Sequence, residues 1–114
     1  MAKRVLIFDD VLWVRREVFH IPGLEILLYG DADESVAQVA TSSPDVLFMD
    51  YAMGREHANG VDAIRALRKN GYSGKIVAMS SDPAANAMMI SAGADETLSQ
   101  KALLRSYLVK LGSS

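Results

Sequence analysis

Three aspartates follow two apolar segments of the chain. Asp9 and Asp10 come directly after residues 5–8, and Asp50 comes directly after residues 46–49. Desolvating a carboxylate is unfavourable, and three carboxylates that converge also repel one another. A hard divalent cation with oxygen ligands relieves both costs, and Mg²⁺ is the ion we expect. The sequence therefore predicts a Mg²⁺ site at Asp9, Asp10 and Asp50, provided that the two strands are neighbours.

The chain alternates between short apolar strands and helical segments. Each strand candidate is bounded by turn residues and is apolar on both faces, as buried parallel strands are. The five predicted strands are residues 4–9, 24–29, 45–49, 75–80 and 94–98. This alternation predicts an α/β fold with a doubly wound parallel sheet and right-handed crossovers. Such sheets bind ligands at the carboxyl ends of their strands, where the three aspartates and Ser80 all fall.

Capping residues predict where the intervening helices begin. Asp33 is expected to cap the second helix, Asn59 the third and Ser99 the last, since short polar side chains accept hydrogen bonds from the first free N–H groups. Asp82, followed by proline, is expected to open the fourth helix. The first helix is predicted to be short, over residues 11–19.

Composition narrows the class of protein. The 114 residues suffice for one domain with one core, predicted over residues 1–114 with tails at 1–3 and 112–114. The chain has no cysteine, and its net charge of −2 argues against nucleic-acid binding. No segment approaches the ~18 apolar residues of a membrane span. The start of the chain leaves no room for a signal peptide, so a cytoplasmic protein without membrane contact is expected.

Four segments in order carry a family resemblance. They are residues 5–10 with the acidic pair, residues 44–50 ending in an aspartate, residues 76–80 ending in a hydroxyl residue, and residues 93–95. From residue 3 to residue 111 the chain resembles the receiver domain of two-component response regulators, and most of all the single-domain receivers of chemotaxis. The resemblance implies a flavodoxin-like fold, a five-stranded parallel sheet in the order 2-1-3-4-5 with helices on both faces.

The resemblance also implies a role for each acidic residue. Asp50 would be the nucleophile that accepts a phosphoryl group from a sensor histidine kinase or a histidine phosphotransfer protein. Asp9, Asp10, Asp50 and the backbone carbonyl of Ala52 would hold Mg²⁺, and Ser80 would donate its hydroxyl to a phosphoryl oxygen. Such a domain catalyses only its own phosphorylation and dephosphorylation, and it passes its signal by binding a downstream protein that the sequence does not identify.

The chain departs from the family at the lysine that usually ends the last strand. Counting from Gly93, this position falls on Gln100, and Lys101 comes one residue later. Either the long side chain of Lys101 covers the offset, or Gln100 donates a hydrogen bond in its place. We favour Gln100, because Ser99 as a helix cap fixes the residue that follows it. An amide can donate to a phosphoryl group but cannot neutralise its charge.

The loop after Asp50 also departs from the family. It is about two residues longer than the usual loop, and its Arg55 and His57 are expected to be solvated. The same loop argues against a small phosphatase that would use Asp50 as its nucleophile. Those enzymes need a second acid two residues further on, where this chain has Ala52.

Two other functional classes remain to be weighed. A flavin-binding protein would need a hydroxyl- and glycine-rich phosphate loop after the first strand, where this chain has its acidic pair. The serious alternative is a degenerate receiver that acts as a phosphorylation-independent interaction module. Gln100, together with Thr97 in place of the usual aromatic residue, motivates this alternative. The acidic trio and Ser80 argue against it.

Overall fold

A five-stranded parallel sheet forms the centre of the molecule. The computed structural model describes residues 2–114. The strands are β1 (Lys3–Phe8), β2 (Leu24–Tyr29), β3 (Val46–Asp50), β4 (Lys75–Met79) and β5 (Glu96–Thr97). Their order is β2–β1–β3–β4–β5, which confirms the predicted flavodoxin-like fold. The register pairs Phe8 with Met49 and Asp50 with Met79, so the carboxyl ends of the three central strands lie side by side.

Helices cover both faces of the sheet. They are α1 (Asp10–Val14), α2 (Ser35–Ser42), α3 (Gly60–Lys69), α4 (Pro83–Ala92) and α5 (Leu104–Gly112), with a 3₁₀ turn over Lys101–Leu103 before the last helix. Alternate residues of the strands face opposite sides, because side chains in a strand point to the two faces in turn. Leu6, Phe8 and their neighbours pack with α2, α3 and α4. Val5 and Ile7 pack with α1 and α5. Both faces are therefore dry, which explains why the central strands read as unbroken apolar runs.

Two of the predicted helix caps are confirmed. The Asn59 side chain accepts a hydrogen bond from the backbone N–H of Asp62 at 3.0 Å and opens α3. The Asp82 side chain accepts one from the N–H of Ala84 at 3.0 Å and opens α4. Each cap satisfies an N–H group that has no partner within its helix. These caps fix where α3 and α4 begin, after the loops that follow β3 and β4.

Two predicted caps are wrong, for different reasons. Asp33 does not cap α2, because its carboxylate instead accepts a hydrogen bond from the backbone N–H of Ala58 and contacts His57. The helix begins after Glu34 without a side-chain cap. Ser99 does not cap the last helix, because the chain stays extended at Gln100 and turns only afterwards, through the 3₁₀ turn. In both cases a contact or a turn elsewhere in the fold overrides the local preference.

The first helix and the last strand are shorter than predicted. The prediction over residues 11–19 is wrong, because α1 ends at Val14 and Arg16 adopts the left-handed conformation, with a φ of 54°. β5 spans two residues rather than 94–98, although the N–H groups of Asp95 and Leu98 still donate to β4. At the termini, β1 and α5 each take one residue from the predicted tails. Within residues 2–114, no helix is long and apolar enough to cross a membrane.

Arg68 joins several elements at the end of the sheet where β4 and β5 begin. Its guanidinium donates to the carbonyl oxygens of Gly93, Tyr72 and Gly74 at 2.8–3.0 Å, and it pairs with the Asp95 carboxylate at 2.9 Å. The planar, always charged fork of an arginine can hold such a set of acceptors at once. One side chain therefore ties the connection between α3 and β4 to the end of α4 and the start of β5.

Arg68→Gln is expected to lower the free energy of unfolding by about 2–3 kcal/mol, because it removes charge-assisted hydrogen bonds and leaves partly buried carbonyl groups without a partner. Urea denaturation monitored by circular dichroism measures the loss. Arg65→Gln is the matched control, since Arg65 lies on the same helix and is exposed. We expect that control to change stability by less than about 0.5 kcal/mol. Equal losses in the two variants would contradict the role assigned to Arg68.

Candidate functional site

The three aspartates singled out in the sequence meet at the carboxyl end of the sheet. Asp9, Asp10 and Asp50 each offer a carboxylate oxygen, and these oxygens lie within 4.8 Å of one another. Asp9 is fully buried and Asp50 is 7% exposed, whereas Asp10 is half-buried. The convergence follows from the strand order, because β1 and β3 are adjacent and end at the same level.

Backbone N–H groups orient two of these carboxylates. Asp9 is the N-cap of α1, and its Oδ1 accepts a hydrogen bond from the N–H of Leu12 at 3.0 Å. Asp50 Oδ1 accepts one from the N–H of Tyr51 at 2.8 Å. In each residue the second oxygen, Oδ2, faces Lys101. Asp10 begins the first turn of α1, where a negative charge is favoured by the helix dipole.

Lys101 supplies the positive charge of the site. Its Nζ lies 2.6 Å from Asp9 Oδ2 and 3.3 Å from Asp50 Oδ2. The contact with Asp9 is an ion pair, and the ammonium also donates a hydrogen bond to Asp50. Burial opposes the charge of Lys101, but Asp9 and Asp50 outweigh it and raise the pKa of the ammonium. Lys101 is therefore a cation held between two buried carboxylates.

This geometry overturns the preference for Gln100. The side chain of Gln100 is exposed, and Lys101 approaches Asp50 instead. The preference depended on Ser99 as the cap of the last helix. Because the chain is extended at Gln100 and turns at Lys101, the lysine side chain starts one residue later and still reaches back to the site. Its long, flexible stem makes up the offset.

Burial dominates the electrostatics of Asp50. Desolvation and then the negative charge of Asp9 raise its pKa from the ordinary 3.8 to about 6, while Lys101 opposes the rise. The charged form of Asp50 is therefore unfavourable while only Lys101 balances it. A carboxylate in this state gains from any further positive charge that enters the site.

Ser80 lies beside the acidic residues, one position past the end of β4. Its Oγ accepts a hydrogen bond from the N–H of Asp82 at 3.1 Å, and its carbonyl accepts one from the buried amide of Asn86 at 2.8 Å. The register places Met79, the residue before Ser80, opposite Asp50. Ala52 follows on an exposed loop directly after β3. All the residues that the sequence singled out for phosphoryl chemistry thus lie at one end of the sheet.

The donor set suits a hard divalent cation. Three carboxylates and one ammonium leave the site with a formal charge of −2. Each aspartate offers one carboxylate oxygen as a ligand, and those of Asp9 and Asp50 share the ammonium of Lys101. Oxygen ligands of this kind are those that Mg²⁺ prefers. Asp9 Oδ2 in particular is buried and shares the ammonium of Lys101 with Asp50, so it would gain from a further cation.

Sequence reasoning missed two features around the site. Asn86 holds the carbonyl of Ser80, and neither residue type nor spacing pointed to it. His57 was expected to be solvated, yet its Nδ1 lies 2.5 Å from Asp33 Oδ2. Asp31, Asp33 and His57 are residue types that bind metals, so the sequence did contain a signal for a cluster. Their contact, however, depends on how the loops after β2 and β3 pack.

Comparison with known proteins identifies the family of this chain. The model of the response regulator receiver domain matches residues 5–110. The chain belongs to the response regulator receiver domain family. No curated protein sequence matches it significantly. Solved receiver domains share its fold at low sequence identity.

Three such structures illustrate the similarity. A CheY-like receiver domain protein from Methanospirillum hungatei superposes with a TM-score of 0.78 at 19% identity, over 99% of this chain and 93% of the other. The response regulator domain of Thermotoga maritima CheB gives 0.71 at 22%, over 97% and 91%. The receiver domain of a sensor histidine kinase from Pseudomonas aeruginosa, solved with a magnesium ion in its active site cleft, gives 0.74 at 20%, over the whole of both chains.

The raised pKa of Asp50 predicts a pH-dependent gain in stability for Asp50→Asn without divalent ions. Between about pH 4 and pH 6 the folded protein keeps a proton on Asp50 that the unfolded chain releases, so the stability linked to this proton is lost as pH rises through 6. A change from 3.8 to about 6 corresponds to at most about 3 kcal/mol. We expect the variant to match the parent near pH 4 and to be more stable by about 1–3 kcal/mol above pH 7.

Urea denaturation of both proteins in a chelator, at several pH values, measures this difference. Asp62→Asn is the control for a general effect of charge removal, because Asp62 is exposed on α3. A difference between Asp50→Asn and the parent that does not vary with pH contradicts the assignment.

Proposed function

We propose that this receiver domain is a phosphoacceptor and that Asp50 takes a phosphoryl group from a phosphohistidine. The observation that carries the proposal is the position of Asp50 at the end of a central strand, with the ammonium of Lys101 held between its carboxylate and that of Asp9. The carboxylate is buried enough to be held in one orientation by the N–H of Tyr51, while 7% of the residue remains open to a donor.

Asp9, Asp10, Asp50 and the backbone carbonyl of Ala52 would hold Mg²⁺ in this proposal. The ion supplies positive charge that neutralises the oxygens of the transferred group. Support comes from the three convergent carboxylate oxygens. It also comes from the magnesium ion in the active site cleft of the Pseudomonas aeruginosa receiver domain, which has the same fold.

Asp50, Lys101 and Ser80 would each have a separate role in the transfer of the phosphoryl group. Asp50 Oδ2 would attack phosphorus as the P–N bond of the phosphohistidine breaks and the imidazole of the donor leaves, since Asp50 Oδ1 is held by the N–H of Tyr51. Lys101 then shifts from a carboxylate partner towards the new phosphoryl oxygens, where its charge is most useful. Ser80 donates its hydroxyl proton to another phosphoryl oxygen. This proton is free, because the bond with the N–H of Asp82 uses Ser80 Oγ as an acceptor.

The partners follow from this chemistry. A sensor histidine kinase or a histidine phosphotransfer protein would donate the phosphoryl group, and the signal would pass on by binding to a further protein. The alternative, an interaction module independent of phosphorylation, drew its support from the missing lysine. The contact between Lys101 and Asp50 removes most of that support.

Acetyl phosphate with Mg²⁺ is expected to add one phosphoryl group to the protein, labile to hydroxylamine as acyl phosphates are. Asp50→Asn should abolish the added mass, and Asp10→Asn should lower the rate because the site loses a Mg²⁺ ligand. Intact-protein mass spectrometry measures both, and Asp62→Asn is the control for the loss of an exposed acid. Labelling that survives Asp50→Asn would place the nucleophile elsewhere. If neither acetyl phosphate nor any phosphohistidine donor labels the parent, the phosphorylation-independent module is the better account.

Lys101→Ala is expected to slow this phosphorylation by about tenfold or more, which corresponds to about 1.4 kcal/mol in the barrier. Gln100→Ala, one residue away and exposed, is the matched control and should leave the rate within about twofold. Both rates come from mass spectrometry at fixed Mg²⁺ and acetyl phosphate, with circular dichroism to confirm that each variant is folded. If Gln100→Ala slowed phosphorylation and Lys101→Ala did not, Gln100 rather than Lys101 would be the residue that contacts the phosphoryl group.

A further inference from the structure

A second cluster of metal-ligating side chains lies outside the acidic site. Asp31 and Asp33, in the loop after β2, meet His57 in the loop after β3. Nδ1 of His57 lies 2.5 Å from Asp33 Oδ2 and 3.8 Å from Asp31 Oδ2. The three ligand atoms lie within 4.8 Å of one another. Residues from two loops that are distant in the chain thus present one imidazole nitrogen and two carboxylate oxygens to one another.

Backbone groups orient both carboxylates of this cluster. Asp31 Oδ1 accepts a hydrogen bond from the N–H of Asp33 at 3.0 Å, and Asp33 Oδ1 accepts one from the N–H of Ala58 at 2.9 Å. In each aspartate the oxygen that remains, Oδ2, is the one that faces His57. Hydrogen bonds to the second atom of a ligand fix its direction, as they do around bound metals.

The spacing of these atoms suits a small transition-metal ion. Zn²⁺ binds nitrogen and carboxylate oxygen at about 2.0–2.2 Å, which separates the ligands of a tetrahedral ion by about 3.3 Å. The observed distances of 2.5 Å and 3.8 Å from Nδ1 lie on either side of this value. Only small side-chain rotations would bring the three atoms to a common distance, and all three side chains are open to solvent on one side.

Charge and ligand type favour the same class of ion. Two carboxylates carry a charge of −2, and the hydrogen bond with Asp33 and the charges of the nearby acids raise the pKa of His57, so a metal ion would displace a proton from the imidazole on binding. A proton on His57 neutralises only half of that charge, whereas a divalent ion neutralises all of it. Imidazole suits Zn²⁺, Ni²⁺ and Cu²⁺ rather than Mg²⁺. The cluster therefore differs in chemistry from the all-oxygen set at Asp9, Asp10 and Asp50.

We propose that Asp31, Asp33 and His57 form a binding site for a transition-metal dication, with Zn²⁺ as the test ion. Water would complete the coordination on the open side. The bound ion would join the loop after β2 to the loop that follows Asp50, and so restrain the backbone beside the acidic site. The proposal does not depend on phosphorylation of Asp50.

Zn²⁺ titration by calorimetry, with Mg²⁺ at saturation to occupy the acidic site, tests the proposal. We expect one Zn²⁺ per chain in the parent and in Asp10→Asn. His57→Gln and Asp33→Asn should each weaken binding by about tenfold or more, because loss of even a hydrogen-bond partner of a ligand weakens affinity by about 10–100-fold. His20→Gln is the matched control, since His20 is exposed and is the other of the two histidines.

Proton NMR adds a readout that does not depend on affinity alone. The chain has two histidines, so their ring C2–H signals can be assigned from the two variants. Co²⁺ should shift and broaden the His57 signal first and leave that of His20 unchanged. Thermal melts confirm that the variants are folded. Zn²⁺ binding that persists in His57→Gln, binding lost in Asp10→Asn alone, or no binding in the parent overturns the proposal.

Discussion

The desolvation of two carboxylates, together with their mutual repulsion, is the constraint on which the candidate site depends. Asp9 and Asp50 lie at the ends of two adjacent strands, and burial raises the pKa of Asp50 to about 6. A single ammonium, that of Lys101, lies between them. Its charge offsets one of the three acids only. Two negative charges therefore remain unbalanced and favour the entry of further positive charge, which the proposed role with Mg²⁺ requires.

The backbone holds this unstable arrangement in place. The N–H groups of Leu12 and Tyr51 fix one oxygen of Asp9 and of Asp50, so that both remaining oxygens face the same point. The central strands behind them are fully buried on both faces, which keeps the strand ends from moving apart. Arg68 and the caps at Asn59 and Asp82 fix the connections at the two ends of the sheet. The packing of the rest of the domain thus offsets the unfavourable burial of these charges.

The loops after β2 and β3 show how a receiver fold can carry additional chemistry. Asp33 has the residue type and position of a helix cap, but its carboxylate contacts His57 instead. The loop after β3 brings that histidine into reach of Asp33. The helix begins without a side-chain cap as a result. A local preference has given way to a contact between loops, and this contact creates the cluster proposed as a second metal site.

The sequence by itself determined the alternation of strands and helices, the two confirmed caps and the set of acids at the strand ends, whereas the strand order came from the family resemblance. These features depend on local patterns: apolar runs buried on both faces, and short polar side chains next to helices. The tertiary structure decided which cation reaches Asp50 and what Asp33 contacts. The first outcome depends on the position of the turn, which begins at Lys101 and not at Ser99. The second depends on how the loops after β2 and β3 pack. A long side chain can cover an offset of one residue, so spacing alone cannot choose between Gln100 and Lys101, whereas the backbone path can.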